Sequence, residues 1–100
     1  ISWGFSKKMK IKFQFTSQIA LFAQCDEEII ESLNPLTIQD ALKILIANKP
    51  TNFINLLFQK LDTLLPSILL IRNGSQINFA DNEKLNDQDE ILIFSPMSGG

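Results

Sequence analysis

A chain of 100 residues, 45% hydrophobic and 20% charged, is long enough for one domain with its own core and too short for two. Its formal charge is −2, with Lys7, Lys8, Lys10 and Lys12 gathered at the start and five basic against eleven acidic residues from Phe13 onward, which argues against nucleic acid as a partner. There is no His and no Tyr, and Cys25 is the single cysteine, so the chain alone builds no Ser-His-Asp triad, no His-assisted thiol nucleophile, no His-containing metal site and no internal disulfide.

Ile1 to Lys8 has neither an initiating Met nor the apolar stretch of a signal peptide, and reads as an upstream extension or cloning remnant ahead of a start at Met9. The domain is expected over 9–94. From Lys10 the chain alternates, with Ile11, Phe13 and Phe15 on one face and Lys10, Lys12 and Gln14 on the other, the period of a half-buried strand. Thr16 to Asp26 loses that period and reads as a loop with scattered Ile19, Leu21 and Phe22, and Glu27 to Leu33 reads as a short second strand. After the turn at Asn34-Pro35, Thr37 with Asp40 forms a short-armed capping box for a helix over Ile38 to Ala47. Ile38, Ala41, Leu42, Leu45 and Ile46 make its apolar stripe, and Pro50 is expected to stop it. Ile54, Leu57, Phe58, Leu61 and Leu65 keep a helical spacing, which predicts a second helix over Asn52 to Leu65, ended by Pro66.

Ser67 to Arg72 is nearly all apolar through Ile68-Leu69-Leu70-Ile71 and reads as a strand buried on both faces. Asn73-Gly74 then calls for a type I′ hairpin turn, because both central positions need positive φ, and Ile77 and Phe79 alternate after it. Ala80 to Glu90 is an acidic, solvated loop anchored by Leu85. A last strand, Ile91 to Phe94, leads into a flexible Gly-Gly tail over 95–100. Helices over one face of a mixed sheet of about five strands, an α+β arrangement, are the expected architecture. On the last strand Ile91 and Ile93 point one way and Leu92 and Phe94 the other, so Leu92 and Phe94 are expected to form an apolar patch beside the tail, unless the second helix or a loop covers them.

Other residue groups favour plain readings. Cys25 has no neighbouring cation to activate it and reads as a small packed hydrophobe. The acidic run from Asp81 to Glu90 lacks the order of a calcium loop, so no metal or cofactor is expected on this chain. No apolar run reaches the roughly 18 residues that cross a membrane, and the lone cysteine suits a reducing compartment, so a soluble, cytoplasmic chain is expected.

The C-terminus carries the strongest functional signal. A random chain ends in two glycines about once in 200, and glycine, lacking Cβ, lets Gly99-Gly100 lie extended in a channel too narrow for other residues. The run from Leu85 through Asp87, Asp89-Glu90, Phe94 and Pro96-Met97-Ser98 to Gly99-Gly100 resembles the C-terminal signature of the small subunit of molybdopterin synthase, the MoaD/ThiS-like, ubiquitin-related sulfur carriers. The opening Met9 to Phe15, with Gln18 and Leu21, is similar to the family's first strand and loop, so the resemblance spans Met9 to Gly100. Gln88 stands where the family has a turn glycine, implying a different turn, and Ser95 replaces the first of two prolines, implying a slightly less stiff tail.

The resemblance implies a ubiquitin-like β-grasp and a non-catalytic carrier in molybdenum cofactor biosynthesis. The Gly100 carboxylate would be adenylated by an ATP-dependent, ubiquitin-activating-type (MoeB-like) enzyme and converted to a thiocarboxylate that donates sulfur to a pterin precursor. ATP would belong to that partner. A MoaE-like large subunit would receive the tail, with Leu92, Phe94, Pro96, Met97 and Ser98 in contact and Met97 as an apolar plug. Thiazole-forming and tRNA-thiolation carriers, a ubiquitin-like modifier joined through Gly100 to a target lysine, and a non-catalytic interaction domain remain alternatives. The long stretch Glu27 to Leu65 with its capped helix resembles the molybdopterin branch more than the compact thiazole one.

Overall fold

The computed structural model describes residues 8–60 and 63–95. Within it β1 (Met9–Phe15) is followed by a short helix α1 (Ser17–Ala23), β2 (Glu27–Ser32), α2 (Ile38–Ile46) and α3 (Thr51–Leu57). Then come β3 (Phe58–Lys60), β4 (Thr63–Leu64), β5 (Leu69–Arg72), β6 (Ser75–Ile77), a 3-10 turn at Phe79–Asp81 and β7 (Glu90–Phe94). The main sheet has five strands in the order β2-β1-β7-β5-β6. Its central pair β1/β7 is parallel and the other neighbours are antiparallel, so the sheet is mixed as expected.

Period-2 alternation decides which side of this sheet is the core. Ile11, Phe13, Phe15, Ile30, Leu70, Ile91 and Ile93 lie on one face and are buried. They join α2's Ile38, Ala41, Leu42, Leu45 and Ile46, α3's Phe53 and Leu57, and α1's Ile19 and Ala23 in one cluster. Each large side chain fully removed from water there contributes about 1.5–3 kcal/mol. Phe15 and Phe53 meet edge to face with ring centroids 5.8 Å apart, and Lys49 lies 5.9 Å from the Phe53 ring centroid while its ammonium pairs with Glu28.

The capping box forms as expected: the Thr37 hydroxyl accepts from the Asp40 N–H and the Asp40 carboxylate accepts from the Thr37 N–H, both at 3.2 Å. Asn73 and Gly74 take φ of 49° and 88° in the β5/β6 turn.

Elsewhere the chain departs from its pattern. Residues 17–23 are helical rather than a loop, because Ile19 and Ala23 turn inward while Leu21 and Phe22 turn outward, and apolar groups on opposite sides erase the stripe. Pro50 starts a helix instead of stopping one: α2 has already ended, and the Pro50 carbonyl accepts from the Phe53 and Ile54 N–H groups at 3.0 and 3.2 Å. The helix expected through Leu65 ends at Leu57, whose carbonyl takes the Leu65 N–H at 2.8 Å. That bond closes the small β3/β4 pair. Leu61 lies outside the described residues. β5 is not buried on both faces, since Leu70 is 1% exposed but Leu69 and Ile71 are half-buried.

Candidate functional site

The central strand, β7, carries the chain to Ser95. β7 lies between β1 and β5, so its last residues are fixed on both edges before the chain passes to Ser95. Phe15 stands opposite Ile93 and Leu69 opposite Phe94, and the Thr16 hydroxyl adds a bond to the Ile93 carbonyl at 3.4 Å. Pro96, Met97, Ser98, Gly99 and Gly100, the remaining expected site residues, lie outside the described residues.

Leu92 and Phe94 are where alternation put them. They sit on the sheet face opposite Ile91 and Ile93, half-buried, while the helices cover the other side. Register adds residues that the sequence reading missed. Ile71 is opposite Leu92 and Leu69 is opposite Phe94, so the half-buried side chains of β5 extend the surface across to the next strand. An all-apolar β5 is thus explained by a core on one side and this apolar surface on the other, where the run Ile68 to Ile71 by itself predicts two covered faces. Gln14 lies across from Leu92 on the β1 side and Gln76 across from Ile71 on the β6 side, so the strip has polar flanks, while Glu90 opposite Lys12 gives it a charged end.

The lysine cluster does not make a free basic patch. Lys8 pairs with Glu31 at 3.5 Å and Lys12 with Glu27 at 3.9 Å across the β1/β2 ladder. Lys7 lies outside the described residues.

The acidic stretch is only partly solvated. Asp89 is 5% exposed and takes Arg72 Nε at 2.9 Å, the Asn73 amide at 2.9 Å and the Asn86 N–H at 2.8 Å, while Arg72 also reaches Glu83 at 3.1 Å. This network fixes the loop to the β5/β6 turn, and the Glu90 N–H returns to the Asn73 side-chain oxygen at 2.9 Å. It sets where β7 begins.

Gln88 takes φ of 72°, so the turn keeps the left-handed conformation that a glycine would hold. Cys25 is half-buried and packed on the core, and no group of His, Cys, Asp and Glu able to hold a metal occurs among the described residues. No helix among them is long and apolar enough to cross a membrane.

The sequence profile of the ThiS family matches residues 14–100. No curated protein matches the sequence. The crystal structure of small archaeal modifier protein 1 from Haloferax volcanii superposes with a TM-score of 0.79 at 24% identity, over 91% of this chain and 99% of that one. The solution structure of small archaeal modifier protein 1 from Methanosarcina acetivorans gives 0.75 at 25% identity, over 94% and 99%. A Pyrococcus furiosus protein described as a molybdopterin converting factor, subunit 1, gives 0.68 at 19% identity, over 89% and 99%. The fold is the ubiquitin-like β-grasp.

Proposed function

Because the chain belongs to the ThiS family of ubiquitin-like sulfur carriers, we propose that it is the sulfur-carrying small subunit of molybdopterin synthase and acts in molybdenum cofactor biosynthesis. The observation that carries this reading is the apolar strip of Leu69, Ile71, Leu92 and Phe94 at the root of a chain ending in Gly99-Gly100. The molybdopterin branch is favoured by the run from Leu85 to Gly100 and by the capped helix in the long connection.

The chemistry follows from what the chain has and lacks. It offers a terminal carboxylate, and a carboxylate is a poor electrophile until one oxygen becomes part of a good leaving group. A Gly100 oxygen attacks the α-phosphate of ATP in an activating, MoeB-like enzyme, and pyrophosphate leaves. Hydrosulfide supplied by a partner then attacks the acyl carbon, AMP and a proton depart, and Gly100 is left as a thiocarboxylate. That group is a soft nucleophile able to pass sulfur to a pterin precursor in a MoaE-like large subunit. The sheet face holds the partner while the glycines thread its active site, so the carrier supplies position and the partner supplies catalytic side chains.

Incubation with ATP, a sulfur source and an activating enzyme is expected to add the oxygen-to-sulfur mass increment at Gly100, read by intact and C-terminal peptide mass. Extending the chain by one residue past Gly100 should abolish the increment without altering the unfolding midpoint. Sulfur transfer by the extended chain would sink the reading. Recovery of Gly100 in an isopeptide bond to a target lysine would favour the modifier reading instead, which the 25% identity with the Methanosarcina modifier protein supports.

A further inference from the structure

Beside the tail root lies an apolar surface separate from the sheet face. β1 and β7 are parallel, so they end at the same edge of the sheet, and the excursion Thr16 to Asp26 springs from the edge where β7 passes into the tail. Both ends of that excursion are held there. The Thr16 hydroxyl donates to the Ile93 carbonyl at 3.4 Å, and the Phe15 N–H donates to the Asp26 carbonyl at 2.9 Å. With Ile19 and Ala23 spent on the core, α1 turns Gln18, Leu21 and Phe22 outward. Leu21 is 72% exposed and Phe22 37%, and no charged residue lies between Thr16 and Cys25. A single exposed leucine needs no explanation, but here an adjacent, uncharged Leu-Phe pair stands on an excursion whose two ends are held beside the last residues of β7.

We propose that Leu21 and Phe22 are a second contact for the enzyme that activates Gly100, meeting an apolar, uncharged surface of that enzyme while the tail occupies its active site. The inference rests on the carrier reading above. An enzyme that encloses a tail meets both flanks of its root. One flank is the strip ending at Phe94, and the other is the α1 excursion, joined to the first through the Thr16 to Ile93 bond. Because the contact is apolar, its loss is expected to change binding equally at low and high salt.

The test is pyrophosphate exchange by the activating enzyme of the same organism, measured against carrier concentration. Leu21→Gln with Phe22→Gln is expected to raise KM for the carrier about tenfold or more while kcat stays within about twofold, as loss of a central apolar contact does. Leu21→Gln alone, at an exposed helical position, keeps the fold and is expected to move KM in the same direction. Leu33→Gln is the matched control: Leu33 is 64% exposed and follows β2 at the opposite edge of the sheet, where Ser32 pairs with Met9. An unchanged KM in the Leu21 variants overturns the proposal, as does an equal rise in Leu33→Gln. A wild-type dimer that the Leu21 variants dissociate without moving KM also overturns it, by assigning the surface to a second copy of the chain. Absence of exchange with the wild-type chain overturns the carrier reading itself and the inference with it.

Discussion

Gln88 holds φ at 72°, a conformation that brings Cβ against the following carbonyl and costs an L-residue roughly 1–2 kcal/mol. The turn is kept because it clamps β1: the Gln88 N–H donates to the Lys10 carbonyl and the Asp87 carboxylate accepts from the Lys10 N–H, both at 2.8 Å. Gln88→Gly removes the strain but gives the unfolded chain more freedom, which opposes it by about 0.4–1 kcal/mol. A net gain of about 0.5 kcal/mol is expected, read as a higher urea midpoint with an unchanged slope. Asp89 behaves oppositely. Its carboxylate is the shared acceptor for Arg72, Asn73 and Asn86, so Asp89→Ala leaves a guanidinium and buried donors short of partners and should cost about 3 kcal/mol or more. The neighbouring Asp87 is exposed, and its alanine variant is expected to cost about 1 kcal/mol, the size of an ordinary hydrogen bond. Equal losses in chemical denaturation would show that Asp89 is not the centre of the network.

Among the elements, α2 is the one whose local and tertiary signals agree. Its N-cap satisfies backbone donors reciprocally, and Thr37→Ala should lower stability by about 1 kcal/mol, measured by thermal unfolding, with Thr37→Ser retaining most of it. α2 and the Asn73-Gly74 turn were legible in the sequence because each is decided within a few residues, and β1 because its alternation marks a buried face whichever strands it pairs with, here β2 and β7. α3 was not, because Ile54, Leu57, Phe58 and Leu65 satisfy a helical period equally well as a short helix followed by a strand pair. What decides between them is the Leu65 N–H reaching the Leu57 carbonyl, together with Phe58 meeting Phe79 edge to face at 5.9 Å. α1 was hidden for a related reason, its apolar residues serving the core on one side and the surface on the other. The candidate site was half legible. Alternation along one strand exposes Leu92 and Phe94, whereas Leu69 and Ile71 join them only through pairing between β5 and β7, which no local pattern encodes.

At the scale of the whole molecule, the sheet separates two tasks. One face is committed to the helices, so the apolar strip on the other can change without opening the core, and the central position of β7 passes any force on the tail to neighbours on both sides. This separation makes binding and stability independently measurable. Ile71→Gln combined with Phe94→Gln replaces half-buried apolar surface with polar groups in a strip already bordered by Gln14 and Gln76. Partner affinity should fall by about 2 kcal/mol or more, near thirtyfold, if these side chains are central contacts. The unfolding midpoint should move little, because the buried partners Leu70 and Ile93 on the same strands are untouched. Titration calorimetry against the large subunit and against the activating enzyme reads the two partners separately. Loss with both places them on the same strip, so that the carrier must release one before engaging the other. Unaltered affinity for both, with the fold intact, would remove the sheet face from the interface and leave recognition to the tail and the α1 surface.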